Sequence, residues 1–121
     1  MPHQRQVFGQ RGEAQARDFL IGLGYTVVAE NWHAGRYGEL DLVALDGGTL
    51  VFVEVKTRRG TGFGRPEEAV NAAKQAKLRL AAEAFRLAHP HLPQEFRFDV
   101  VAISGSVGSA AQVDHFRGVF C

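Results

Sequence analysis

The chemistry in this chain starts with two acids and a lysine. Asp41 is followed, across a glycine-marked turn, by Glu54-Val55-Lys56. A pair of carboxylates can hold a divalent cation such as Mg2+ or Mn2+ with water completing the shell. A lysine one residue past an acid can orient or help deprotonate an attacking water, or stabilise charge developing on a phosphate. The turn decides whether the acids meet. Asp46-Gly47-Gly48 separates two apolar runs, and glycine supplies the positive φ that hairpin turns require. If Gly47-Gly48 form a two-residue loop, Asp46 pairs with Thr49, and a longer loop closed by Leu45 and Leu50 keeps the same register. Asp41 then lies opposite Glu54, and Glu39 opposite Lys56.

That register creates an electrostatic conflict. Alternation places Glu39, Asp41, Val43 and Leu45 on one face with Leu50, Phe52, Glu54 and Lys56. Like charges directly opposite are destabilising, and burying them is costly unless they are compensated. A divalent cation resolves the conflict. An ion-pair cluster of Glu39 with Lys56 and Arg97 with Asp99 is the simpler alternative, but it leaves Asp41 facing Glu54.

The elements that must position these groups follow from periodicity. Residues 1–8 form a polar N-terminal segment, and a first helix is expected from Gly9 to Leu23, with Ala16, Phe19, Leu20 and Leu23 on one face. Glu13 falls at the edge of that face, four residues before Arg17, with which it could also form an ordinary surface pair. Tyr25 to Trp32 reads as a strand, with Trp32 as a core or edge anchor. The hairpin supplies the next two strands, apolar on both faces as in a sheet covered on both sides. Thr57 to Pro66 is a glycine- and arginine-rich loop. A second helix is expected from Pro66 to Ala88, with an inward stripe of Val70, Ala73, Lys77, Ala81, Ala84, Phe85 and Ala88 and with Lys74 close to it. Lys74 is read as reaching toward the acids. His89-Pro90-His91 makes a turn, and Glu95 to Ile103 a fourth strand, parallel to the third across the helix. Residues 104–111 read as a flexible loop of small residues, and Gln112 to Phe120 as a short edge strand.

The 121 residues suit one domain, residues 1–121, of mixed α/β class. A hydrophobic content of 45% with 22% charged residues is that of a globular chain, and no apolar run approaches the ~20 residues of a membrane span. No signal-like stretch follows the first residues, and the single cysteine, Cys121, suits a reducing cytoplasmic setting. A net charge of +1 does not by itself name a nucleic-acid partner. If the acids gather in one site, the remaining surface is mildly basic and permits phosphate contact.

The element order and the Asp41, Glu54-Val55-Lys56 constellation resemble the PD-(D/E)xK nuclease motif, with Leu40 where that motif has proline. Glu13 adds an acid where Holliday-junction resolvases of that fold carry one. A closer resemblance is to the YraN-like family of predicted endonucleases. It rests on Gly12-Glu13 with Ala16, Asn31-Trp32, Gly38-Glu39-Leu40-Asp41-Leu42-Val43, Val51 through Arg58, Phe63-Gly64, Ala69-Val70 leading to Lys74, and Arg97-Phe98-Asp99-Val100. The resemblance implies a restriction-endonuclease-like core of order α-β-β-β-α-β with helices on both faces, and a Mg2+- or Mn2+-dependent endonuclease acting on DNA, with branched or repair intermediates as candidate substrates. It implies Asp41, Glu54, the Val55 carbonyl and Glu13 as metal ligands, with Glu13 acting directly or through water. Lys56 is the implied catalytic lysine, and Glu39 holds it in place or serves as an outer ligand. Arg58, Arg59, Arg65, Lys74 and Lys77 are the candidate nucleic-acid contacts. A symmetric homodimer would suit cutting of two strands. A non-catalytic nucleic-acid-binding or scaffold protein that retains the fold is the alternative.

Overall fold

The computed structural model describes residues 4–58, 70–105 and 112–120, with side chains described over 12–57, 70–105 and 112–120. The elements are α1 (Gln4–Gly22), β1 (Thr26–His33), a single 3-10 turn (Gly35–Tyr37), β2 (Glu39–Asp46), β3 (Thr49–Arg58), α2 (Ala72–Ala88), β4 (Phe96–Ser104) and β5 (Gln112–Phe120). Arg59, Arg65 and nearly all of the basic loop, the expected helix start at Pro66, and most of the 104–111 loop lie outside the described residues.

The five strands form one mixed sheet in the order β1-β2-β3-β4-β5. Neighbours are antiparallel except β3 and β4, which run parallel with α2 between them in sequence. The hairpin has the expected register: Asp46 pairs with Thr49 and Leu42 with Val53, and Gly47 takes φ 58°. β5 pairs along β4 from Phe98–Phe120 to Ser104–Gln112, so it is a full-length strand and not a short one.

Alternation along β3 divides the core between the two faces. Val51 and Val53 pack with Ala16 and Leu20 of α1, together with Leu42, Ala44, Val101 and Ile103. Phe52 packs with Leu78, Ala81, Ala82 and Phe85 of α2, together with Val43, Phe98 and Val100. Trp32 anchors the second cluster edge-to-face on Phe85, with ring centroids 5.2 Å apart.

The helix ends explain the departures from sequence expectation. α1 starts at Gln4, so part of the polar 1–8 segment is helical. It closes in a Schellman motif: Tyr25 N–H donates to Leu20 O, Gly24 N–H donates to Ile21 O, and Gly24 takes φ 92°. α2 starts at Ala72, because Asn71 is extended and its side chain accepts the Lys74 N–H at 2.9 Å. Val70 therefore precedes the helix, although it is buried in the same core. Phasing the stripe from Val70 misplaces it. The buried residues are Leu78, Ala81, Ala82 and Phe85, whereas Ala73, Lys77 and Ala88 are exposed.

Candidate functional site

The hairpin ladder ends at Leu42–Val53, one step short of the two acids. Past that point Asp41 acts as a ladder group itself: its Oδ2 accepts the Val55 backbone N–H at 2.9 Å. A carboxylate thus takes a donor on the β2 side of β3 that pairing no longer satisfies. The register carried one step further would set Asp41 opposite Glu54, and the Glu54 charge is felt at Asp41. The Glu39–Lys56 pairing lies beyond the ladder, and Glu39 instead meets His33, 3.8 Å away on a largely exposed side chain.

Glu54 is 7% exposed, beside the Phe52 side of the core. α2 delivers the Lys74 ammonium onto its Oε1, so the reach of Lys74 toward the acids is as expected. The Asp41 carboxyl is pushed up to about 7, first by burial and then by the Glu54 charge, with the Val55 N–H and the Lys74 charge working the other way. Asp41 thus sits in a setting that disfavours its anion at neutral pH.

Glu13 comes to the site because α1 crosses β3 closely at Gly12. A Cβ on Gly12 would run into the Thr57 Cγ2 methyl, so glycine lets the two elements approach without displacing that side chain. Burial raises the Glu13 pKa, and the charges of Glu39, Glu30 and Glu54 add to the rise against a hydrogen bond from Asn31. The alternative, a surface pair of Glu13 with Arg17, does not form; Arg17 meets Asp18 and Glu30. Asn31 is a site residue without an assigned role in the sequence reading. It lies between the Glu30–Leu42 and Trp32–Leu40 pairs, thus across from Asp41, and takes φ 48°. Asn tolerates that left-handed conformation better than most residues, and this, with its place in the Asn31-Trp32 stretch of the family resemblance, is the signal in sequence that could have marked it.

Of the remaining candidate residues, Lys56 and Lys77 have described side chains. Lys56 is half-buried at the end of β3, where it pairs with Ala102 of β4. Arg58 ends β3, and only its backbone is described. Lys77 is exposed on α2. Among the described residues, no three His, Cys, Asp or Glu side chains converge tightly enough to cage a metal ion. The donor set that does converge is a carboxylate pair with an acid on its rim. That suits a hard cation that keeps most of its waters, as Mg2+ does, and not a closed structural site.

A second polar cluster lies on the α1 face. Asp99 is 1% exposed and accepts from Arg97 Nε at 3.0 Å and from the Gly118 N–H at 2.9 Å, with His115 Nε2 at 2.8 Å. Burial raises the Asp99 pKa, but these partners outweigh it and hold the carboxyl below the usual range. Arg97 also reaches Asp46 and the Tyr25 hydroxyl, each at 2.9 Å. The network fastens the hairpin turn, the end of α1 and β5 to β4. Arg97 and Asp99 share a strand face in sequence, whereas Tyr25, Asp46 and His115 join them only through the fold.

These features define a mixed α/β protein with a pair of acids at the end of its central hairpin. The family model described as "Uncharacterised protein family UPF0102" matches residues 12–103. Similar proteins include a "UPF0102 protein" of Nocardia farcinica, 45% identical over 96% of this chain and 91% of that protein. One from Rhodococcus jostii is 48% identical over 93% of this chain and 94% of its own length. Another, from Beutenbergia cavernae, is 47% identical over 95% and 97%. The chain belongs to the UPF0102 family, the family its YraN-like motifs pointed to. No helix among the described residues is long and apolar enough to cross a membrane.

Proposed function

We propose that this chain is a Mg2+- or Mn2+-dependent endonuclease of restriction-endonuclease-like fold acting on DNA. The observation that carries the reading is the convergence of Asp41 and Glu54 where the hairpin ladder ends, with burial and the Glu54 charge disfavouring the Asp41 anion. Two acids brought together in this way suit a cation, whereas Asp99, a buried carboxylate elsewhere among the described residues, is satisfied by Arg97, His115 and the Gly118 N–H.

In this reading Asp41 and Glu54 hold the ion with the Val55 carbonyl, and Glu13 contributes from the rim. A divalent ion there supplies Lewis acidity toward a phosphate oxygen and acidifies a water. Lys56 orients that water or offsets charge developing on the phosphate. Glu39 tunes the rim electrostatically, since its charge is felt at Glu13. Arg58, Arg59, Arg65, Lys74 and Lys77 are assigned to phosphates, whose contacts position nucleic acid without reading its sequence. A second reading, a nucleic-acid-binding protein without cleavage, is favoured by the Lys74–Glu54 pair, which neutralises Glu54 without a metal.

Supercoiled plasmid and four-way junction DNA incubated with Mn2+ separate the two. Cleavage by the wild type that is lost in Asp41→Ala and Glu54→Ala supports the nuclease. Equal cleavage by all three identifies a contaminant and removes the proposal, and EDTA-resistant binding without cleavage selects the second reading.

A further inference from the structure

Lys74 is placed against the electrostatic preference of its own helix. It is the third residue after the Asn71 cap, in the turn where unpaired N–H groups concentrate positive charge. Packing nevertheless aims it. Lys74 lies four residues before Leu78, seven before Ala81 and eleven before Phe85, all three of which are buried against the sheet. Docking of that stripe carries the ammonium onto Glu54, whose carboxylate is almost wholly withdrawn from water. The helix thus supplies a positive charge at the carboxylate that the proposed function assigns to a cation.

We propose that Lys74 is a tethered counter-ion that competes with the divalent cation for Glu54. This rests on the reading of Asp41 and Glu54 as cation ligands. Without a divalent ion, the ammonium neutralises Glu54 and keeps the strand ends folded. A divalent ion enters only as the ammonium gives up that contact, so part of its binding free energy is spent on displacing Lys74. The lysine therefore sets the cation concentration at which the site loads, and it does so without being a ligand.

The test is calorimetric titration of Mn2+ into the full chain as wild type, Lys74→Gln and Arg79→Gln. Arg79 is an exposed charge on the same helix, near Phe120 and not among the proposed ligands. Hydrogen bonds to charged groups contribute enough that loss of the competitor should tighten Mn2+ binding by about 10- to 100-fold in Lys74→Gln. Arg79→Gln should match the wild type. Equal tightening in both variants would reduce the effect to general charge and overturn the proposal. Unchanged affinity in Lys74→Gln, with the wild type binding, would overturn it and leave the cation site standing. No binding by any of the three would remove both readings. A second measurement needs no variant: in wild-type protein with 13C-labelled lysine, the Lys74 Cε resonance should move with Mg2+ occupancy. A static Lys74 signal at saturating Mg2+ would overturn the proposal even if Lys74→Gln failed to fold.

Discussion

Replacing Asp41 by Asn should make the protein more stable at neutral pH in EDTA, although it removes a carboxylate from a hydrogen bond. Asn keeps an oxygen for the Val55 N–H, which Asp41 accepts at 2.9 Å. What it removes is the cost of ionising a buried acid beside Glu54. The Asp41 carboxyl is raised from 3.8 to about 7 on folding. A raised carboxyl contributes stability that is fully present below the unfolded value and is lost as pH rises through the folded one. Wild type therefore loses this contribution between roughly pH 4 and pH 7, whereas Asp41→Asn does not. A pKa difference of one between the folded and unfolded chain is worth about 1.4 kcal/mol. The gap between variant and wild type should therefore widen by about 2–3 kcal/mol from pH 5 to pH 8. Urea denaturation of both proteins across that range, with EDTA present, measures it directly. Parallel profiles would overturn the prediction, because they would mean that Asp41 is ionised at no cost in the fold.

Three further outcomes follow from the same structure. Gly12→Ala should cost about 1–3 kcal/mol by overpacking against Thr57 Cγ2, and Thr57→Ser, which lacks that methyl, should recover most of the loss in the double variant. Simple additivity in denaturant unfolding would contradict the close approach of α1 to β3. Asp99→Asn should lose about 1–3 kcal/mol at pH 7 by weakening the Arg97 and His115 hydrogen bonds, while Arg97 keeps Asp46 and the Tyr25 hydroxyl. Because the Asp99 pKa is lowered on folding, its contribution is present above the unfolded value and is lost as pH falls through the folded one. The deficit of the variant should therefore shrink below pH 4 in the same unfolding assay, and a deficit independent of pH would argue against it. Finally, Mn2+ at about 100 times its dissociation constant should stabilise the wild type by about 2.7 kcal/mol, read as a rise in melting temperature that EDTA reverses. Asp41→Asn and Glu54→Gln should show little of it.

The features of this fold that are local in sequence were legible there. The hairpin register followed from Gly47-Gly48 and the alternation on either side, because a two-residue loop leaves the pairing no freedom. The division of β4 between two cores followed from the same period of two. The start of α2 was not legible, because Pro66-Glu67-Glu68 carries ordinary helix-start chemistry and Asn71 competes with it a few residues later. That single displacement shifted the phase of the stripe and exchanged Lys77 for Leu78 on the buried face. The hydrogen bond from Val55 to Asp41 depends on where the ladder stops, which pattern does not encode. The proximity of Glu13 depends on a contact between Gly12 and Thr57, and the burial of Asp99 on His115 and Gly118 arriving from β5. Sequence singles out Glu13 and Asp99, but only tertiary packing brings their partners to them.

Whether Asp41 and Glu54 form a cation site is decided by anomalous diffraction from crystals soaked in Mn2+. The expected result is one strong Mn2+ peak between the two carboxylates within reach of the Val55 carbonyl, with the Lys74 ammonium moved off Glu54. No peak between the two carboxylates at saturating Mn2+, with Lys74 still on Glu54, would contradict the assignment.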